Sequence, residues 1–161
     1  MKLTPRAQGL IRSLRLKPHP EGGFYREIFR SKIKVVAPQG KRDSLTQIYF
    51  MLPRGEISRW HQVLSDESWN FIEGAPLYLY RLDSKLKNFQ KTVLGPLKLK
   101  KQPIALIPQR EWQAAESSGD YTLVTCLVAP GFEFKDFCFL NEIIISKNPQ
   151  LLKNKLQKRF I

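Results

Sequence analysis

Short apolar runs with strand-like alternation fill the middle of this 161-residue chain, from about residue 24 to residue 140. The runs are rich in β-branched and aromatic residues, and Gly, Pro or Asp separates them every eight to twelve residues or so. This spacing predicts an all-β sandwich or barrel. The predicted strands are 24–30, 33–37, 46–52, 57–63, 68–73, 76–82, 91–95, 104–108, 112–115, 121–128 and 134–140.

The start of the chain has helical spacing instead. Thr4 is a good N-cap and Pro5 suits the first helical position. The apolar residues that follow share one helix face: Ala7, Leu10, Ile11 and Leu14. The prolines within 17–20 end this helix, because proline restricts its own backbone and that of the residue before it. Residues 21–23 (Glu-Gly-Gly) are predicted to form a turn.

We find no internal repeat, low-complexity tract or linker, so we predict a single domain over 1–161. Its parts are an N-terminal helix over 1–18, a β-barrel over 19–141 and a basic C-terminal tail or helix over 142–161. The tail includes a Lys-rich helix candidate, 150–159, with a weak apolar face.

The composition excludes several classes of protein. At 42% hydrophobic and 25% charged residues, the chain is globular rather than disordered. No apolar run approaches the roughly 20 residues that span a bilayer, and the N-terminus lacks the apolar stretch of a signal peptide. We therefore expect a cytoplasmic protein with no transmembrane segment. Cys126 and Cys138 have no metal-type spacing; counting alone permits one disulfide, but free thiols in a reducing cytosol are the simpler interpretation.

The net charge of +13 is concentrated at the two ends of the chain. Residues 1–18 hold five cations and no acid, and residues 142–161 hold five cations against one acid. Nucleic acid, an anionic membrane or an acidic protein are partners that such ends attract. The simpler interpretation is a solvated surface, because the cations are not interleaved with the aromatic residues of single-strand binders.

Candidate chemistry is centred on residues 55–74. Alternation places one set of side chains of strand 57–63 on a common face: Ile57, Arg59, His61 and Val63. After a turn at 65–66, Glu67 and Trp69 are predicted to face the same interior. An imidazole and a carboxylate side by side suit either metal binding or acid–base chemistry. A P-loop, a GxGxxG turn, an HExxH helix and a GxSxG elbow are absent from the sequence.

These residues match the first motif of the cupin barrels, G-x5-H-x-(H)-x3-E-x6-G, at Gly55, His61, Glu67 and Gly74. The second motif, P-x-G-x2-H, falls on 108–113, where only the proline and the spacing match. The chain resembles more closely one cupin family, domain of unknown function 985 or the fifth cupin family. The blocks that carry this resemblance are HPEGGFYRE (19–27), IYFMLPRGEISRWH (48–61), DESWNFIEGAPLYLY (66–80), IPQREWQAAE (107–116) and LVAPGFEFKDF (127–137).

The resemblance implies an all-β, double-stranded β-helix (jelly-roll barrel) with short N- and C-terminal helices. It also implies a homodimer and a small-molecule pocket in the barrel's mouth. It implies no established reaction. By analogy with metal-free sugar epimerases of the same barrel class, we expect isomerase or epimerase chemistry on a polar, sugar-like metabolite. A non-catalytic metabolite-binding module, and a nucleic-acid or anionic-surface binder acting through the basic ends, remain as alternatives.

The resemblance also locates a degenerate metal site. The four cupin ligand positions, His, His, Glu and His, are occupied here by His61, Val63, Glu67 and Gln113. Valine has no donor atom and a glutamine carbonyl is a weak ligand, whereas catalytic zinc sites usually have three protein ligands. A divalent metal, if bound, would be held by His61, Glu67 and Gln113 with water completing the shell.

In the metal-free interpretation His61 is the base, Glu67 orients it, and Gln113 or Arg59 contacts an oxyanion or phosphate. The ligand-binding residues predicted around this pair are Arg59, Gln113, Trp69 and Asn70. A structural role is the alternative for each residue. Glu67 is the hardest to explain in that way, because a carboxylate inside a barrel is costly unless it is paired.

Overall fold

A computed structural model describes residues 3–98, 100–142 and 159–161 of the chain. Strands dominate it, and the all-β fold predicted from the sequence is confirmed. Helix α1 spans Pro5–Ser13. The strands are β1 (Lys17–Pro18), β2 (Phe24–Arg30), β3 (Lys34–Ala37), β4 (Gly40–Asp43), β5 (Thr46–Pro53), β6 (Ile57–Val63), β7 (Asp66–Gly74), β8 (Leu77–Leu82), β9 (Phe89–Leu94), β10 (Ile104–Ile107), β11 (Trp112–Ser117), β12 (Tyr121–Ala129) and β13 (Phe137–Phe139).

Two antiparallel sheets form the body of the domain. The first has the strand order β1-β2-β5-β12-β7-β10, and the second has the order β13-β6-β11-β8-β9. The sheets pack face to face, because one core cluster takes buried side chains from both: Phe50, Leu52, Trp69 and Val124 from the first, and Leu77, Leu79, Leu94 and Ala115 from the second. This shared apolar interior is the main source of stability.

Helix α1 covers the outer face of the first sheet. The Oγ1 atom of Thr4 accepts a hydrogen bond from the Ala7 N–H at 3.3 Å, which confirms the predicted N-cap. Ala7 and Leu10 are buried against Met51 and Leu123, whose side chains point away from the interior between the sheets. The apolar face predicted for the N-terminal helix therefore packs on the outer face of the first sheet.

The outer face of the second sheet is also apolar, and the end of the chain covers it. Trp60, Tyr80 and Trp112 project from three neighbouring strands into one cluster. Phe160 is fully buried in that cluster, and its carbonyl oxygen accepts a hydrogen bond from the Trp60 N–H at 2.8 Å. Arg159 forms an ion pair of 2.6 Å with Glu116 beside it. The last residues of the chain are thus part of the folded domain.

The region around Phe134 differs from the prediction. Strand 134–140 was expected there, but Phe134–Asp136 forms a 3-10 turn, β13 has three residues, and a helical segment begins at Leu140. Strand β4 was not predicted, because the charged run 40–43 has no apolar alternation. Arg42 of β4 forms two hydrogen bonds, of 2.6 and 2.8 Å, with the buried carboxylate of Asp136. This bidentate ion pair fixes the turn, so a long-range charge contact outweighs local strand propensity here.

The C-terminal helix predicted over 150–159 lies outside the described residues except for Arg159. Cys126, which is buried, and Cys138 are both free thiols. In the described part of the chain, no helix has the length and apolar character needed to cross a bilayer.

Candidate functional site

A cavity of about 600 Å³ opens between the two sheets. Strands β2, β5, β7 and β12 contribute one wall, and β6 with the segment 132–137 contributes the other. The cavity is of the size that small organic ligands occupy in proteins. Its polar side chains come chiefly from β2 (Arg26, Glu27 and Arg30), from the turn 19–23 (His19 and Glu21), from β6 (His61) and from β7 (Glu67).

An imidazole and a carboxyl group meet inside this cavity. The Nε2 atom of His61 lies 3.2 Å from the Oε2 atom of Glu21, and both side chains are almost completely buried. The other oxygen of Glu21 accepts a hydrogen bond of 2.8 Å from the Ser58 hydroxyl. His19 stands on the far side, with its Nδ1 atom 3.6 Å from the same Oε2 atom. We call the His61–Glu21 pair the dyad.

The backbone fixes the tautomer of His61. Its Nδ1 atom lies 2.7 Å from the carbonyl oxygen of Arg59. Because a carbonyl oxygen only accepts hydrogen bonds, Nδ1 must carry the ring proton when the ring is neutral. The lone pair of Nε2 then points at Glu21, which places the basic atom of the imidazole inside the cavity.

Two irregularities of the backbone bring Glu21 to this place. Gly22 has φ +115°, and a Cβ atom at this position would collide with the carbonyl oxygen of Ile57, so only glycine allows the turn to approach β6 so closely. On β6, three steps from Ser58 to His61 face two steps on β11, which is a β-bulge. The bulge cancels the strict alternation of the strand, so Ser58 and His61 both reach the carboxyl group of Glu21.

Burial keeps the whole group neutral near pH 7. It raises the pKa of Glu21 to about 8, against which the Ser58 hydrogen bond and the charge of Arg59 act in the opposite direction. Burial also lowers the pKa of His61, although the nearby Glu67 and the bond to the Arg59 carbonyl oppose this. The pKa of His19 falls to about 3 through burial and the proximity of His61. In the resting dyad the proton therefore resides on Glu21, and both histidine rings are uncharged.

Glu67 also lines the cavity, but its hydrogen bonds differ from those predicted. Its carboxyl group accepts a hydrogen bond from the Nε2 atom of Gln113, and Cys126 bonds to it as well. The Oε1 atom of Gln113 in turn accepts a bond of 2.9 Å from the indole N–H of Trp69. Burial raises the pKa of Glu67, while the proximity of His61 and the hydrogen bond from Gln113 act to lower it. The partner that orients His61 is Glu21, so the orienting role expected for Glu67 needs correction.

The other predicted ligand-binding residues are not among those that line the cavity. Gln113 donates a hydrogen bond to Glu67 and accepts one from Trp69, so these two residues position Glu67. The guanidinium of Arg59 lies 4.3 Å from the ring centre of Phe139 and donates a hydrogen bond of 2.6 Å to the carbonyl oxygen of Pro20. These contacts place it at the rim of the cavity. Asn70 points to the opposite face of β7, where it bonds to the Thr125 carbonyl oxygen.

Sequence reasoning missed Glu21 and His19. Both belong to the block HPEGG, which was interpreted only as a turn. The available signal was a carboxylate next to two glycines, a combination that lets the backbone approach another strand. Phe134 and Phe137, to which the sequence analysis gave no role in a site, line the cavity as well.

The donor set of the cupin metal positions does not suit a divalent ion here. Val63 offers no donor atom, and the Gln113 amide is engaged at both ends by Trp69 and Glu67. Among the residues that the structure describes, no three His, Cys, Asp or Glu side chains are grouped so that they could hold a metal ion. The chemistry considered below therefore uses only this chain's own acids and bases.

Comparisons with known proteins agree with this architecture. The family model described as "Cupin superfamily (DUF985)" matches residues 8–140. A hypothetical protein from Leishmania major is 28% identical, with a TM-score of 0.85 over 96% of this chain and 97% of that chain. A crystal structure of a Shewanella oneidensis protein is 31% identical, with a TM-score of 0.83 over 99% of this chain and 98% of that one. An oxalate decarboxylase from Bacillus subtilis, at 15% identity and a TM-score of 0.59 over 79% of this chain and 30% of that chain, shares the fold alone. Among curated proteins, none matched.

Proposed function

Because this chain belongs to the cupin superfamily, in the family described as DUF985, we propose that its barrel binds a small molecule and catalyses acid–base isomerisation of it. The observation that carries the proposal is the contact of 3.2 Å between His61 and Glu21, whose side chains are both almost completely buried at the deep end of the cavity. To move a proton between two atoms of a substrate, an enzyme needs one general acid and one general base within reach of it, and this cavity contains both.

The dyad supplies both functions at once. Glu21 gives its proton to a carbonyl oxygen of the substrate, and the Nε2 atom of His61, released from that hydrogen bond, takes a proton from the neighbouring carbon. The substrate becomes an enol, and the dyad becomes a carboxylate beside an imidazolium. If the imidazolium returns its proton to the other face of the same carbon while the Glu21 carboxylate takes the proton back from the enol oxygen, the result is an epimer. If the deprotonated carbon carries a hydroxyl group, Glu21 takes the proton of that hydroxyl while the imidazolium protonates the former carbonyl carbon, and the result is an isomer with the carbonyl moved by one carbon. Protons and electrons balance, and no redox partner is needed.

The surroundings of the dyad favour the charged state that forms in this reaction. The Ser58 hydroxyl and the Arg59 guanidinium both stabilise a carboxylate at Glu21, since each acts to lower its pKa. The Arg59 carbonyl oxygen accepts the Nδ1 proton and stabilises the imidazolium. These groups are fixed before the reaction, so the charge separation requires little reorganisation.

The test is hydrogen exchange with solvent. Wild-type protein is incubated in D2O with 2-oxo acids, hydroxyketones and aldoses, and NMR follows deuterium uptake at the carbon next to the carbonyl. We expect Glu21→Gln and His61→Asn each to slow the exchange by about 100-fold or more. Asp120→Asn is the matched control, because it removes an exposed carboxylate that, within the described part of the chain, forms an ion pair with Arg54 alone.

Binding without exchange would contradict the proposal and favour a non-catalytic binding module. The homodimer expected from the family resemblance is a separate prediction. Light scattering of the purified protein should give twice the chain mass of 18.7 kDa.

A further inference from the structure

Away from the dyad, the walls of the cavity are mostly apolar. Aliphatic and aromatic side chains from both walls line it, among them Ile48, Phe50, Val128, Phe132, Phe134 and Phe137. A sugar carries hydroxyl groups around its whole ring, and each would need a partner when it leaves water. These walls offer no such partners over most of their surface.

Two of the rings form flat platforms beside the polar groups. The ring of Phe137 stacks on His61, with centres 5.1 Å apart and planes inclined by 21°. The ring of Phe134 stacks on His19 at 6.2 Å and 26°. Phe134 is 54% exposed and lies towards the mouth, whereas His61 is 2% exposed and lies deep. An aromatic surface thus runs from the entrance to the dyad.

Charged groups are confined to the mouth, where most are already paired. Arg30 is bound to Glu27 and Asp43. Lys17 and Arg26 have no carboxylate partner among the described residues. The Lys17 ammonium lies 5.1 Å from the ring centre of Tyr25, and the Arg26 guanidinium lies 5.8 Å from that of Tyr49. The cavity therefore has a deep polar end, an apolar middle and a mouth with two cations that have no carboxylate partner in the described part of the chain.

The aromatic wall is held in place before any ligand binds. Phe132, Phe134 and Phe137 lie on a segment that the ion pair between Arg42 and Asp136 fastens to β4. The Leu64 N–H also donates to the Asp136 carbonyl oxygen at 3.2 Å. Such fixation lowers the entropy cost of ligand binding.

We infer that the ligand is an amphipathic carbonyl compound with a ring-sized apolar body, which lies along Phe134 and Phe137 and presents its carbonyl oxygen to the dyad. This inference rests on the proposed function for the carbonyl end. It replaces the sugar-like substrate expected from the family analogy, because the apolar middle of the cavity matches a ring without hydroxyl groups. A carboxylate on such a ligand would reach Lys17 or Arg26 at the mouth only if it lay at the end of the apolar body farthest from the carbonyl.

The test compares three probes by isothermal titration calorimetry: phenylpyruvate, pyruvate and glucose. Phenylpyruvate and pyruvate share the oxo acid group and differ by the ring. Burying that ring should make phenylpyruvate bind at least about tenfold more tightly than pyruvate or glucose. Phe137→Leu should weaken phenylpyruvate binding by about tenfold, since it removes a stacking surface while keeping an apolar side chain. The matched control Phe29→Leu alters an exposed ring outside the cavity and should leave binding unchanged.

Each outcome bears on one of the two proposals. Phenylpyruvate that binds no more tightly than pyruvate or glucose overturns the inference about the ligand, as does an unchanged affinity in Phe137→Leu. Exchange in D2O separates this result from the proposed function. Tight phenylpyruvate binding with exchange equal in wild type and Glu21→Gln upholds the ligand class and refutes the catalytic dyad. Exchange that occurs with aldoses and not with phenylpyruvate upholds the catalytic dyad and refutes the inferred ligand class.

Discussion

The protonation of Glu21 at neutral pH has a measurable consequence for stability. In the unfolded chain this carboxyl group ionises near 4.5, whereas burial raises its pKa to about 8 in the folded protein. Between these values the unfolded chain releases the proton and the folded protein keeps it. Rising pH therefore favours unfolding, and the stability present below pH 4.5 is lost progressively up to about pH 8.

The magnitude follows from the difference between the two pKa values. Each pKa unit corresponds to 1.36 kcal/mol, so the ionisation of Glu21 should remove about 5 kcal/mol of unfolding free energy between pH 4.5 and pH 8. Glu21→Gln has no ionisable group at this position. The wild type should therefore lose about 5 kcal/mol relative to the variant over this interval, and the difference should level off above pH 8.

Urea unfolding at a series of pH values, monitored by tryptophan fluorescence, measures this difference directly. The other buried titrating groups, His19, His61 and Glu67, are present in both proteins, so subtraction leaves the ionisation of Glu21 together with its electrostatic coupling to these neighbours. Asp120→Asn, which removes an exposed carboxylate far from the cavity lining, is the control for the substitution itself. A difference between wild type and Glu21→Gln that stays constant from pH 5 to pH 8 would refute the reasoning. In that case Glu21 would be an anion at neutral pH and unable to donate a proton.

Three further predictions concern the support around the site. Gln113→Leu should lower the unfolding free energy by about 2 kcal/mol in urea titrations, because the Trp69 indole and the Glu67 carboxyl each lose a buried hydrogen-bond partner; an unchanged value would mean that neither bond contributes. Phe160→Ala should cost about 3 kcal/mol by the same measurement, since it empties a fully buried site against Trp60, and a loss below about 1 kcal/mol would contradict that packing. Treatment with EDTA should leave the thermal unfolding midpoint and the D2O exchange rate unchanged, and a fall in either would show that the protein holds a functional metal ion.

The sequence was sufficient to predict most of the strands that form the two sheets, because alternation and turn residues are local signals, but β1 at Lys17–Pro18 was not predicted. It was also sufficient to place His61 and Glu67 in the interior, since the spacing between them matches a known motif. Strand β4 and the turn at Phe134 were not predicted correctly, because Arg42 and Asp136 determine them through a contact 94 residues apart in the chain. Local propensity contains no information about such a pair.

The dyad could not be predicted from the sequence for a related reason. Glu21 and His61 come from a turn and a strand that meet only in the folded protein, and the bulge in β6 then changes which side chains face the turn. Simple alternation assigns Ser58 to the face opposite His61. One extra residue in a strand is invisible to a periodicity argument, although it decides which groups contact the carboxyl of Glu21.

The dyad depends on Gly22 as much as on its own two polar residues, so the three positions should evolve together. Any side chain at this position would push the turn away from the Ile57 carbonyl and carry Glu21 out of the cavity, without altering a single acid or base. Among diverging copies of this gene, loss of the glycine should therefore release selection on Glu21 and His61 together. An alignment of related sequences can test this. In sequences that lack the glycine at position 22, we expect both Glu21 and His61 to be replaced as well.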